Sequence, residues 1–160
     1  MGNDDLDVLV AQERMLQFSS FDADLAWQIG LALRGLAKVN GRPIGMGIWM
    51  TGRTLFRSAT NGTTPDIEAW LRRKRATVER FGQSSYRVGL ELQRDGSTLM
   101  LKQGLPMRTF AVHGGGFPVV LHGTGCVGAV VLSGLPQRQD HEMVVQAMAD
   151  VLGVAVPRLA

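Results

Sequence analysis

Two short runs in this chain, His113-Gly114-Gly115-Gly116 and Trp70 to Arg75, combine residue types and spacings that could do chemistry. An imidazole beside three glycines sets a titratable ring next to backbone that no side chain shields. Such a ring donates a hydrogen bond, moves a proton or ligates haem iron, or it is simply satisfied inside the fold. Bare N–H groups and fixed cations together recognise carboxylates and phosphates. On a helix, Lys74 lies one turn beyond Trp70, on a face that otherwise points inward. A lysine there needs a carboxylate, a phosphate or a cavity. The spacing leaves a ligand role and a structural ion pair both open for Arg73 and Lys74. Arg72 and Arg75 read as a solvated face.

Two enzyme signatures are mimicked, and both lack their required neighbours. His113 to Gly116 matches the oxyanion loop of lipases and esterases, which works with a G-x-S-x-G nucleophile elbow. The chain contains no G-x-S-x-G. Gly123 to Gly128 matches G-x-G-x-x-G, which binds a pyrophosphate only where a helix begins. Here Ala129-Val130-Val131-Leu132 follows, and that is a strand. His113, His122 and His141 form no i,i+3 or i,i+4 pair, and neither HExxH nor CxxC occurs, so the spacing builds no metal site. His141, next to Asp140, reads as a capping or packing residue. Cys126 reads as a buried, inert thiol. Trp27, Trp49 and Trp70 read as core aromatics rather than a cofactor box.

The elements that must position these residues follow from periodicity and caps. Asp4 to Gln17 fits a first helix. Asp22 to Val39 carries Leu25, Ala26, Ile29, Ala32, Leu33, Leu36 and Ala37 at helical spacing. Ile44 to Met50 and Thr54 to Ala59 form a hairpin around Thr51-Gly52-Arg53. Thr64 and Pro65 open a helix to about Phe81 as N-cap and first helical residue. Ser84-Ser85 caps another through Leu92. Two or three strands are expected next, from Arg108 to His113, Pro118 to His122 and Cys126 to Leu132, and then a helix from Gln137 to Leu152. Grouped strands between helices argue for an antiparallel sheet with helices packed on it.

Bulk properties narrow the class. The 160 residues suit one domain spanning 1–160, 45% apolar and 19% charged, enough to bury a core. A net charge of +3 is too mild to imply a nucleic-acid partner. A single cysteine fits a reducing compartment. The acidic start lacks a secretory n-region, and Leu6 breaks the myristoylation pattern. No run reaches the length of a membrane span. These features suggest a cytoplasmic protein with no membrane partner.

Three stretches together carry a resemblance. They are Leu55 to Phe81 (LFRSATNGTTPDIEAWLRRKRATVERF), the Ser84-Ser85-Tyr86 step, and His113 to His141 (HGGGFPVVLHGTGCVGAVVLSGLPQRQDH). Over residues 20–152 the chain resembles the haem-degrading-domain superfamily of GlcG and HbpS type. It is most similar to a branch with GTTPDN-x-x-W-x-x-RK and HGGGFP, although Ile67 stands where that branch usually has Asn. The resemblance implies a profilin-like α/β sandwich of α+β type, with a five-stranded antiparallel sheet flanked by helices. It also implies a homo-oligomer. By matching position it nominates Trp70, Arg73, Lys74, His113, Gly114, Gly115, Gly116 and Phe117 as pocket residues.

Three functions are compatible with these residues. One is a small-molecule binder that takes an anion on Arg73, Lys74 and the glycine amides. Another is a haem-binding or haem-degrading enzyme with His113 near iron. The last is an oligomeric scaffold or protein adaptor.

Overall fold

The carboxylate of Asp22 accepts the Leu25 N–H at 2.8 Å and so starts the second helix, which Gly41 closes at φ 78°. Between these caps Ala26, Ile29, Leu33 and Ala37 are buried along one stripe. Similar local rules set most elements of the computed structural model, which describes residues 2–160, with side chains from Asp4 onward. The helices are α1 (Gly2–Met15), α2 (Ala23–Asn40), α3 (Asp66–Phe81), α4 (Ser85–Arg94), α5 (Leu99–Gln103) and α6 (Gln137–Leu152). The strands are β1 (Gly45–Met50), β2 (Arg53–Ala59), β3 (Gly116–Leu121) and β4 (Gly125–Ser133). No described helix is long and apolar enough to cross a membrane.

The strands form one antiparallel sheet in the order β2-β1-β4-β3. It has four strands, not five, because Arg108 to His113 stays out of it. Pro106 O accepts the N–H groups of Thr109 and Phe110 in a turn, and Ala111 N donates to Arg73 O at 3.1 Å. Phe110 and Val112 then pack with Val88, Leu92 and Leu99. The apolar alternation that resembled a strand therefore faces α4 rather than a neighbouring strand. The short α5 was not expected. Its signals are in the sequence, since the Thr98 side chain accepts from Leu101 N and Gly104 ends the helix in the left-handed region. Pro65 takes the N-cap position of α3 rather than its first helical position, and the Thr64 side chain does not cap the helix, only its carbonyl accepting from Ile67 N.

The sheet's two faces are covered unequally. Met46, Ile48, Phe117, Val119, Val130 and Leu132 point to one face and join the buried stripes of α2 and α6 in the main core. The opposite face meets α3 through a smaller cluster of Trp49, Leu71, Val78, Ala129 and Val131. Small residues bring α3 close there. A Cβ on Gly45 would lie 3.0 Å from Ile67 Cγ2, and one on Gly116 would lie 2.7 Å from Val78 Cγ2. Trp49 is buried, but Trp27 is 56% exposed, edge-on to Phe56, so it is not a core residue. Cys126 is likewise exposed, at the start of β4.

His141 packs, as its position suggested, in full burial between α1 and the main core. Its Nε2 lies 2.8 Å from Gln12 Oε1. Gln12 Nε2 donates to Glu142 Oε1 and Pro157 O, so the Gln12 oxygen faces the ring and His141 Nε2 carries the proton. His141 Nδ1 has no hydrogen-bond partner among the described residues. Burial, then the charges of Arg158 and Arg138, push the imidazole pKa down to about 3. The unfolded chain thus binds a proton between about pH 6.5 and 3 that the folded chain refuses, and stability falls as pH drops through that window. Urea unfolding from pH 7 to 4 should show a shallower loss of stability in His141→Gln than in the wild type. Parallel slopes would mean that another group governs the acid limb.

Candidate functional site

The first two turns of α3 and the N-terminus of α6 converge on His113. Together with the end of β4 they enclose a cavity of about 410 Å³. Asp66, Ile67, Trp70 and Lys74 form one wall, and Ser133, Gly134 and Leu135 another. Gln137, Asp140 and His113 complete it. The His113 and Trp70 rings stand edge to face, with centroids 5.0 Å apart. Arg73 lays its guanidinium over the Trp70 ring at 4.7 Å and donates from Nε to Met107 O at 2.8 Å. A second, apolar cavity of about 150 Å³ shares His113 with the first and is lined by Arg73, Leu92, Leu99, Phe110 and Val112.

Lys74 is only 2% exposed, and its ammonium is fully engaged. It donates to Asp140 Oδ2 at 2.9 Å, Leu132 O at 3.0 Å and Ser133 Oγ at 3.2 Å. An ammonium has three N–H donors, so none is left for a ligand. Asp140 also accepts from Leu135 N at 2.9 Å and Gly134 N at 3.4 Å. Burial pulls the Lys74 ammonium below the ordinary lysine range and pushes the Asp140 carboxyl up, and their mutual attraction opposes both shifts. Of the two roles open for Lys74, the geometry realises the ion pair.

Two of the three glycine amides are also taken. Gly114 N donates to Gln137 Oε1 at 3.2 Å and Gly116 N to Ser85 Oγ at 3.0 Å. Ser85 Oγ in turn donates to His113 O at 2.6 Å. These glycines are needed for space. A Cβ on Gly114 would sit 2.2 Å from Gln137 O. One on Gly115, whose φ is 126°, would sit 2.2 Å from Leu132 O. Phe117 lies across the sheet, fully buried in the main core, so it does not line the cavity.

His113, Trp70 and Arg73 remain available. Among the described residues neither His113 ring nitrogen has a hydrogen-bond partner, and the ring is exposed. Partial burial, then the positive charges of Lys74 and Arg73, lower its pKa, so it is neutral at physiological pH. The sequence reading missed Asp140, Gln137 and Ser85. A buried lysine does signal an acid partner, but nothing in the sequence says which acid.

The family described as "Haem degrading protein HbpS-like" matches residues 21–149. A UPF0303 protein from Azotobacter vinelandii (strain DJ / ATCC BAA-1303) is 48% identical over 156 residues, which are 98% of this chain and 94% of the relative. Among solved structures, that of Ybr137w protein superposes with a TM-score of 0.85 at 27% identity, covering 92% of this chain and 87% of the other. A structure of PduOC in complex with haem superposes at 0.66 and 14% identity, covering 87% and 99%, a likeness of fold alone.

Removing one partner of a buried pair leaves the other charge unpaired. Lys74→Met should therefore lose about 3–5 kcal/mol of unfolding free energy in urea melts. Lys74→Met with Asp140→Asn should lose less than the sum of the two single changes, because the double variant leaves neither charge buried and unpaired. An additive double variant would show that the pair acts as two independent groups.

Proposed function

The chain belongs to the HbpS-like family of haem-degrading proteins, and we propose that it binds a small molecule in the cavity at Trp70 and His113. The observation that carries this reading is His113 itself, an accessible, unpartnered ring at the mouth of a built cavity. The polar part of the ligand is anionic. Lys74 is spent on Asp140, so the anion is held by His113 and by Arg73, which reaches it from the adjoining apolar cavity and whose Nη1 and Nη2 have no hydrogen-bond partner among the described residues. Partial burial and then the positive charges of Lys74 and Arg73 depress the His113 pKa, and the charges favour an anion beside the ring. Trp70, Ile67 and Leu135 supply apolar walls. The protein works as a homo-oligomer in this reading, consistent with large apolar side chains at its surface, Leu101 at 78% and Met107 at 76% exposure.

Calorimetric titration with small carboxylates, phosphates and haemin tests the site. Arg73→Ala with His113→Ala should weaken binding at least tenfold, while Arg72→Ala on the exposed face should not. An anion beside His113 raises its pKa on binding, so affinity should rise as pH falls from 7.5 to 6. Unchanged binding in the double variant would refute the assignment.

A second reading takes haem as the ligand. It is favoured by a neutral imidazole that stands between the larger cavity and the apolar one. His113 would hold the iron and Arg73 a propionate, with apolar contact from Trp70 and Phe110. Bound haem would supply oxygen- or peroxide-dependent redox chemistry. Micromolar haemin should give a shifted Soret band that is lost in His113→Ala. A band identical in both proteins would eliminate this reading.

A further inference from the structure

The C-terminal end of α2 and the turn after β2 enclose a third cavity, of about 220 Å³, which shares no lining residue with the His113 site. Three cations line it, Arg34, Lys38 and Arg42, and no carboxylate does. Among the described residues none of the three has an acid oxygen within ion-pair distance, although many other cations of the chain do. They follow one another at intervals of four residues. Arg34 and Lys38 lie one turn apart on α2, where like charges repel and cost stability unless something neutralises them.

The helix dipole accounts for only part of this cluster. Lys38, in the last turn of α2, complements the C-terminal carbonyls. Arg34 lies a full turn earlier, and Arg42 lies beyond the Gly41 cap. Arg34 is also held in place before any ligand arrives. Its Nη1 donates to Ser58 Oγ at 2.8 Å and Ala59 O at 3.2 Å, leaving Nε and Nη2 without a partner among the described residues. The opposite wall is fixed too. Thr60 N donates to Ile44 O, and Ile44 N donates to Thr60 Oγ1 at 2.8 Å. Asn61 brings a side-chain amide to the same wall.

We infer that this cleft is a binding site for the phosphate group of a small molecule, held by Arg34, Lys38 and Arg42. A carboxylate is satisfied by one guanidinium, whereas a doubly charged tetrahedral group presents oxygens to cations on several sides. The volume accommodates a phosphate with a small organic body. The site is independent of the cavity at His113.

Thermal unfolding and calorimetry with inorganic phosphate and with glycerol phosphate, at fixed ionic strength, test the inference. Both should raise the melting temperature, because a ligand of the native state stabilises it by mass action. A stronger effect of glycerol phosphate would identify a phosphomonoester as the ligand, and equal effects the free anion. Lys38→Gln with Arg42→Gln changes two exposed side chains, so its melting temperature without ligand should stay near the wild type. Its phosphate affinity should drop at least tenfold. His113→Ala with Arg73→Ala should keep that affinity, which separates this site from the proposed one. Three results would overturn the inference: equal affinity in the Lys38/Arg42 variant, no preference for phosphate over chloride, or a response to long polyanions alone.

Discussion

An ammonium and a carboxylate taken out of water together must satisfy one another fully, and the fold around the site is arranged to let Lys74 and Asp140 do so. Lys74 comes from α3, Asp140 from α6, and the remaining acceptors from the end of β4. The pair therefore fixes three elements in mutual register. Asp140 also takes the Leu135 and Gly134 amides, so the turn from β4 into α6 is set by the same carboxylate. Trp70 lies one turn before Lys74, and its place on the cavity wall follows. Burying a pair of charges adds little net stability, but any alternative packing would leave one of them alone in a dry interior.

This constraint decides the electrostatics of the two cavities. At His113 the most deeply placed cation is paired with Asp140, and Arg73 is left without an acid partner among the described residues. At the α2 terminus no described carboxylate lines the cavity. A count of cations along the chain cannot tell these two situations apart. Burial and pairing can.

Much of the scaffold was legible in the sequence, because helix stripes and caps are local signals. Asp22, Ser84 and Gly41 mark ends that the structure reproduces. The failures came where a residue's partner is remote. Phe110 and Val112 alternate as a strand would, but alternation says only that one side is buried, not what buries it. Lys74 announced a need for an acid, and the acid stands 66 residues away. Gly116 and Phe117 are adjacent in sequence yet lie on opposite faces of the sheet, a consequence of the two-residue strand period once β3 is known to begin at Gly116. The family pattern located the site region, while the division of labour within it needed the coordinates.

The three glycines after His113 are crowded by Gln137, Leu132 and Val78, all parts of the scaffold. Their lack of side chains is what lets the loop pass between α6 and β4 on its way into β3. A descendant of this protein could exchange Arg73, Trp70 or His113 and so acquire a new specificity while keeping the same chain path. It could not exchange Gly114, Gly115 or Gly116 without rerouting the backbone. The glycine run is thus inherited with the architecture, and its persistence across diverging lineages would record shared ancestry rather than a shared ligand.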